Sequence, residues 1–245
     1  TVPFVSKAVG TPWARVAAKV MTGQKLSELG EAVERNIDYF AVKESVLPFR
    51  KFPGADIILG PEMKSTGEVM GLDSDFGLAF AKSQEAAGNN LPRSGSVFIS
   101  VKNSMRRNII FMAKMIASMG FKIFASEGTW RVLSSNGINA KMVPKIGEGK
   151  PDIIDLIKSN AINLVINVPA GKKSQIDSKP IRSAAVSQGI PYITTLEGAQ
   201  AAISGMDSTE RNGFSVKPIQ DYTVNLHVIK NRYKHDLDIR QTMWN

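Results

Sequence analysis

The chain has 245 residues, with 31 Lys and Arg, 22 Asp and Glu and no Cys, so its length suits one large domain or two ordinary ones. It is 43% hydrophobic and 22% charged, and it has no apolar run near the roughly 20 residues that a membrane helix needs, so we expect a globular protein outside the membrane. The absence of Cys excludes disulfides, thiolate metal sites and a Cys nucleophile. The first residues do not form a signal peptide and read like a chain cut from a longer one, and we expect a cytoplasmic location.

The net charge of +9 is concentrated in the middle of the chain. Residues 95–207 carry 14 basic and 7 acidic residues, whereas residues 1–94 carry 11 of each. This asymmetry predicts an anionic partner for the middle segment. It leaves open whether that partner is a polymer or a small phosphate, or whether the segment simply has a basic, solvated surface.

Residues 1–88 mix helical and extended patterns. A helix is predicted to begin with Thr11 as its N-cap, a strand-like run covers residues 39–49, and a second helix covers residues 73–87. The turn-rich stretch 88–95 then predicts a domain boundary.

After this boundary, five strands alternate regularly with five helices. The strands are predicted at 96–101, 121–125, 138–143, 162–167 and 191–194, and the helices at 106–119, 129–135, 151–158, 180–188 and 196–203. This alternation is typical of an α/β fold with a doubly wound, five-stranded parallel sheet. The rest of the chain is less periodic, and its two His residues are too few for a metal site.

Polar side chains follow the predicted strands, and ligands of open parallel sheets bind at the carboxyl ends of the strands. After the second strand, Ser126 and Thr129 flank Gly128 just before a helix, where hydroxyls, backbone N–H groups and the helix dipole suit a phosphate or carboxylate. Basic residues follow the other strands: Lys102, Arg106, Arg107, Lys145, Lys150, Lys172 and Lys173. Their convergence on one edge predicts a site for a small anion.

Two other functions are disfavoured. Trp130 is the only aromatic residue in these turns, which does not suit a nucleic-acid surface, and we expect no nucleic-acid partner. No Walker A motif is present, acidic residues are scarce at the strand ends, and no Ser is paired with a His in a recognisable order. The segment is therefore interpreted as a sensor or binding module, and a separate small-molecule-binding regulatory module remains an alternative.

Three stretches of the chain resemble the large subunit of carbamoyl phosphate synthase. They are TVPFVSKA at residues 1–8, KESVLPF at residues 43–49 and, most specifically, LGPEMKSTGEVMG at residues 59–71. The resemblance extends to about residue 206 and corresponds to the carboxyl-terminal part of that subunit. It implies the end of the second ATP-grasp unit at 1–88, a linker at 89–94, an allosteric domain of the methylglyoxal-synthase-like fold at 95–206, and an irregular tail at 207–245.

The resemblance also implies a function. The complete enzyme makes carbamoyl phosphate from bicarbonate, glutamine-derived ammonia and two ATP, for arginine and pyrimidine biosynthesis. It uses ATP with Mg or Mn, and it pairs the large subunit with a glutamine amidotransferase small subunit. The family's metal-binding segment Glu-x-Asn-Pro-Arg would lie before Thr1, so we expect no cofactor within this chain and no activity of the chain alone.

The family's allosteric domain binds a nucleoside monophosphate, ornithine or an acylated glutamate. Matched position by position, the implied effector-binding residues are Arg106, Ser126, Thr129, Lys145, Asn167, Lys172, Lys173 and Ser178. The family's Thr-Thr-Ser-Gly loop is here Val-Pro-Ala-Gly at residues 168–171, which removes three hydroxyls and, through Pro169, one backbone donor. Lys172 and Lys173 are expected to compensate for this loss.

The related enzyme methylglyoxal synthase shares the implied fold but needs catalytic Asp residues. The nearest matching positions here are Lys150 and Val168. Because neither residue can act as a carboxylate base, we do not expect that activity.

Overall fold

The computed structural model describes residues 1–32, 35–52, 59, 61–169 and 178–223, without the side chain of Arg50. The chain divides into two compact units. The first contains Thr1–Ala41 and residues from Ser215 onward, and the second is Val42–Phe214.

The first unit is built from short helices. Helices α1 (Val2–Val9) and α2 (Trp13–Met21) bury Ala8 and Val16 respectively, and a short helix covers Ile219–Thr223. The prediction of Thr11 as N-cap is wrong, because Pro12 holds that position and Thr11 is buried. The backbone N–H at the start of α2 instead binds a side chain of α1, with Trp13 N 3.1 Å from Ser6 Oγ.

The second unit begins within a two-stranded sheet formed by β1 (Phe40–Val46) and β2 (Gly67–Asp73). An ion pair joins the two strands, with Lys43 Nζ 3.0 Å from Glu68 Oε2. Helix α3 (Phe76–Ala86) follows, and the Asp75 side chain caps it by accepting a 2.8 Å hydrogen bond from Leu78 N.

The remainder of the unit alternates strands with helices, as predicted. The elements are β3 (Ser96–Val101), α4 (Ile109–Ser118), β4 (Lys122–Ser126), α5 (Glu127–Ser135), β5 (Ala140–Val143), α6 (Ile153–Lys158), β6 (Leu164–Val168), α7 (Lys179–Gln188), β7 (Tyr192–Ile193) and α8 (Leu196–Asn212). The five strands form one parallel sheet in the order β5-β4-β3-β6-β7. The predicted α/β class and parallel sheet are confirmed.

Helices cover both faces of this sheet, because its strands are apolar on both sides. On one face, α4, α5 and α8 bury Ile116, Leu133 and Ile203 against the sheet. On the other face, α6 and α7 bury Ile157 and Ala185. Burying an Ile or Leu side chain typically contributes about 1.5–3 kcal/mol, so the two apolar layers stabilise the sheet that supports the strand ends.

Helices α3 and α8 pack closely against each other within the second unit. The compact units therefore divide at residues 41 and 214, whereas the linker at 89–94 joins two elements of the same unit. The family-based division at 89–94 stays a prediction.

The predicted irregular tail from residue 207 needs correction. Helix α8 continues through residues 207–212, where Ser208 is buried, and residues 219–223 are also helical. The residues at 207–212 are all polar and show no apolar period, and the helix is supported by its packing on α3. Residues 224–245, with His227 and His235, lie outside the described residues.

Candidate functional site: an anion-binding edge of the parallel sheet

Arg106 lies against the first turn of α5. A Cβ placed on Gly128 would stand only 2.1 Å from Arg106 Nη2, so the guanidinium occupies the space that the glycine leaves open. Arg106 Nη1 donates to Asn103 Oδ1 at 3.1 Å, while its buried Nε has no hydrogen-bond partner. The basic residue predicted before the first helix of the sheet therefore meets the predicted hydroxyl-rich turn.

This arrangement creates a concentration of positive charge. The amino end of α5 carries a partial positive charge, and the Arg106 guanidinium adds a full one beside it. The nearby carboxylate of Glu127 is held by Arg131, at 2.5 Å. Since an unpartnered charged donor is costly to bury, the local electrostatics favour an anion at this position.

A row of polar side chains crosses the three central strands. Ser100 and Asn167 are register partners on β3 and β6, and Ser126 ends the neighbouring strand β4. Alternation along β3 and β4 places Ser100 and Ser126 on the face that buries Phe98, and Asn167 lies on the same face. The polar row therefore sits at the carboxyl edge on one side of the sheet, where a ligand can reach several strands.

Thr129 is fully buried, and its hydroxyl serves the framework of the site. Its Oγ1 accepts a 3.1 Å hydrogen bond from Val101 N and lies 3.2 Å from Ser126 Oγ. It thereby connects the ends of β3 and β4 to the start of α5. Its predicted role as an effector ligand stays a prediction, and a positioning role is the one that the contacts describe.

Asn167 connects to the outer strand of the sheet. It is 4% exposed, and its Nδ2 donates to the Tyr192 hydroxyl at 2.7 Å. The guanidinium of Arg182, on α7, lies over the Tyr192 ring at 5.3 Å from its centroid. The polar row thus ends in an aromatic side chain and a second arginine.

The remaining predicted residues have different positions. Lys145 is exposed and its Nζ lies 3.4 Å from Glu148 Oε1, so it borders the edge in solvent. Ser178 is buried just before α7. Lys172 and Lys173 lie outside the described residues, and their predicted role is untested.

The two positions aligned with catalytic Asp residues hold no carboxylate. Val168 is buried in the core, and the exposed Lys150 binds Asp155 at 2.7 Å and Asp152 at 3.4 Å. A hydrogen bond to Asp155 raises the pKa of Lys150, and the same bond lowers the pKa of Asp155. The buried Asp152 caps α6 through the backbone N–H groups of residues 154 and 155. These carboxylates therefore serve the fold.

Within the described ranges, no group of three or more His, Asp and Glu side chains could hold a metal ion. No helix among the same residues is long and apolar enough to cross a membrane.

Sequence reasoning missed three contributors to this edge: Ser100, Arg182 and Tyr192. Ser100 lies within an otherwise apolar strand, and only the strand alternation could have assigned it to the face of Phe98. Arg182 and Tyr192 are ten residues apart on different elements, so their contact depends on how α7 packs on β7.

Comparisons with known proteins identify relatives of this chain. Residues 108–194 match the family model of the MGS-like domain. The sequence is 48% identical to the carbamoyl phosphate synthase large chain of Nostoc sp. over 92% of this chain and 20% of the relative. It is also 48% identical to the corresponding chain of Archaeoglobus fulgidus over 91% of this chain and 21% of the relative. The chain thus spans about a fifth of the length of these curated relatives.

Solved structures give a more distant likeness. The crystal structure of methylglyoxal synthase from Elizabethkingia anophelis covers 58% of this chain and 97% of its own, at 14% identity and a TM-score of 0.41.

Proposed function

We propose that this chain, a homologue of the carboxyl-terminal portion of carbamoyl phosphate synthase large chains that contains an MGS-like domain, is a regulatory segment of such an enzyme. In this proposal the parallel sheet binds a small anionic effector at its carboxyl edge. The effector belongs to the class of nucleoside monophosphates, ornithine or acylated glutamates.

The observation that carries the proposal is the position of Arg106. Its guanidinium fills the space over Gly128 at the amino end of α5, and its buried Nε has no hydrogen-bond partner. An anionic group beside this guanidinium would pair with its charge and interact with the helix dipole at the same time. The polar row of Ser100, Ser126 and Asn167 supplies neutral hydrogen-bonding groups beside it.

In this proposal, catalysis takes place in other parts of the enzyme. The complete enzyme would form carbamoyl phosphate from bicarbonate, glutamine-derived ammonia and two ATP, with Mg or Mn, in arginine and pyrimidine biosynthesis. The partners of this chain would be the rest of the large subunit and the glutamine amidotransferase small subunit, in the cytoplasm. Here the edge carboxylates Asp152 and Asp155 are occupied by a helix cap and an ion pair, which supports a binding role rather than acid–base catalysis.

An effector at this edge can regulate the enzyme only by binding one of two states of the intact subunit more tightly. The contact of α3 with α8 offers a physical connection within the second unit between the parallel sheet and the two-stranded sheet. We propose this contact as the coupling element. A direct test is whether a loosened contact, as in Gly77→Ala, reduces regulation of the intact enzyme while effector affinity is retained.

Isothermal titration of the purified chain tests the binding function. The panel is UMP, IMP, ornithine and N-acetylglutamate, with ATP–Mg²⁺ as the comparison ligand. We expect one panel compound to bind and ATP–Mg²⁺ not to bind. Failure of every panel compound to bind a chain shown to be folded would contradict the proposal.

A further inference from the structure

We propose that Arg182 is a second anion-binding residue of this edge, and that the edge therefore recognises a ligand with two separate acidic groups. The inference rests on the proposed function, because it extends the same site from Arg106 toward the outer strand β7. It adds a chemical specificity that the Arg106 position alone does not provide.

Arg182 resembles Arg106 in having a buried Nε atom without a hydrogen-bond partner. In the second unit, the described residues contain two buried side-chain nitrogen or oxygen atoms without a hydrogen-bond partner: the Nε atoms of Arg106 and Arg182. The Arg182 guanidinium contacts the Tyr192 ring, and no described carboxylate forms an ion pair with it. Both side chains are half-buried, and an Nε–H without an acceptor is unfavourable, so each guanidinium favours an anionic partner.

Four described carboxylates near this edge are engaged with other groups. Glu127 is paired with Arg131, and Glu148 lies beside Lys145. Asp152 and Asp155 are held by the α6 cap and by Lys150. None of these four carboxylates is paired with Arg106 or Arg182, so both charges are available to a ligand.

Arg106 and Arg182 lie at well-separated strands of the sheet. Arg106 lies at Gly128, just beyond β4, while Arg182 lies over Tyr192 of β7, with β3 and β6 between those strands. Three spacings of about 4.8 Å separate β4 from β7, so the two guanidinium groups lie on the order of 14 Å apart. A single phosphate or carboxylate is too small to contact both. A molecule with an acidic group at each end can contact both and lie along the row of Ser126, Ser100 and Asn167.

The Tyr192 ring makes Arg182 suitable for this role. The ring is held by the 2.7 Å hydrogen bond between Asn167 Nδ2 and the Tyr192 hydroxyl, and it supports the guanidinium by a cation–π contact. A preoriented guanidinium loses less freedom when it binds an oxyanion. Tyr192 and Asn167 are therefore positioning residues for Arg182.

The test is an NMR titration that observes the arginine Nε–H signals of the full chain. The probes are adipate, which has two carboxylates, and hexanoate, which has the same chain length and one carboxylate; inorganic phosphate is the third probe. The signals of Arg106 and Arg182 are assigned by their loss in Arg106→Lys and Arg182→Lys. The exposed Arg211, which is paired with Asp207, provides a reference signal.

We expect adipate to shift both signals with one common Kd, and hexanoate to bind at least tenfold more weakly. Arg182→Gln should weaken adipate at least tenfold and change phosphate binding less than twofold, whereas Arg211→Gln should change neither. If adipate or phosphate shifts the Arg106 signal while the Arg182 signal stays unchanged, the second subsite is wrong and the proposed function survives. If no probe and no compound of the effector panel shifts either signal, both proposals are overturned.

Discussion

Gly77 on α3 lies so close to Ser204 on α8 that a Cβ on the glycine would stand 2.5 Å from the Ser204 carbonyl oxygen. The same Cβ would also meet the Ser208 hydroxyl at 2.5 Å. Because a backbone oxygen cannot rotate away as a side chain can, the two helices must separate to admit even a methyl group. The absence of a side chain at position 77 therefore sets the close packing of α3 on α8.

Replacing Gly77 by Ala should destabilise the fold by about 1–3 kcal/mol, because overpacking forces backbone shifts. The change is measured as the free energy of unfolding in urea. Gly67→Ala is the matched control, since a Cβ at Gly67 would have no atom within 4 Å. Equal stability of the two variants would show that α8 moves freely relative to α3.

The buried ion pair between Asp73 and Lys82 should make stability depend on acid pH. Burial raises the pKa of Asp73. Hydrogen bonds from Lys82 Nζ at 2.6 Å and from Asp75 N at 3.1 Å, together with the Lys82 charge, outweigh this effect, so the pKa is lowered below its ordinary value of 3.8. A carboxyl group with a lowered pKa in the folded state contributes stability above its unfolded pKa. That contribution is lost as the pH falls below about 4 through the folded-state value.

We expect the free energy of unfolding of the wild type to fall in this acid range, and Asp73→Asn to show a flatter dependence on pH. At neutral pH, Asp73→Asn should cost about 3 kcal/mol, because Lys82 is left buried without its partner. The double variant Asp73→Asn/Lys82→Met should recover part of this loss. If the free energy of unfolding of Asp73→Asn fell in acid as steeply as that of the wild type, the assignment of this pH dependence to the Asp73–Lys82 ion pair would be contradicted.

Thr129 offers a test of the framework at the strand ends. Thr129→Val keeps the shape of the side chain but removes the acceptor for Val101 N, so it should cost about 1–3 kcal/mol of stability. Thr129→Ser keeps the hydroxyl and should cost less than Thr129→Val. Thermal or urea unfolding distinguishes them, and the reverse order would mean that the methyl group, rather than the hydrogen bond, holds the turn.

Gly128→Ala should change binding and stability in different directions. Its new methyl group would displace the end of the Arg106 side chain, which is flexible, and effector affinity should fall at least tenfold. Stability should be unchanged or rise by up to about 1 kcal/mol, because Ala favours a helix over Gly. Ser134→Ala, an exposed change on the same helix, is the control. Undiminished affinity in Gly128→Ala would remove the Arg106–Gly128 contact from the binding mechanism.

The parallel sheet was predictable from the sequence because its strands are continuous apolar runs separated by polar turns. Ser96–Val101 and Leu164–Val168 are buried almost throughout, so composition alone marks them as central strands. Helix ends were less predictable: Pro151 was expected to open the helix that Asp152 actually caps through a reciprocal bond with Asp155. Such capping depends on side-chain geometry that periodicity does not report.

The site was only partly predictable for a related reason. The turn containing Gly128 was visible as a helix start, but its contact with Arg106 depends on the path of residues 102–108. The extension of α8 through residue 212 depends on its packing against α3, which small residues such as Gly205 permit. Tertiary contacts of this kind leave no periodic signal in a single sequence.

The anion site at the carboxyl edge of the sheet is tested most directly by the affinity of Arg106→Gln for the panel compound that binds the wild type. We expect a loss of about 1.5–3 kcal/mol, which is a roughly ten- to 150-fold weaker Kd, because a charged hydrogen bond is removed. Arg211→Gln, which changes an exposed arginine paired with Asp207, should bind within twofold of the wild type. An unchanged Kd in a folded Arg106→Gln variant would contradict an anion site at this edge of the sheet.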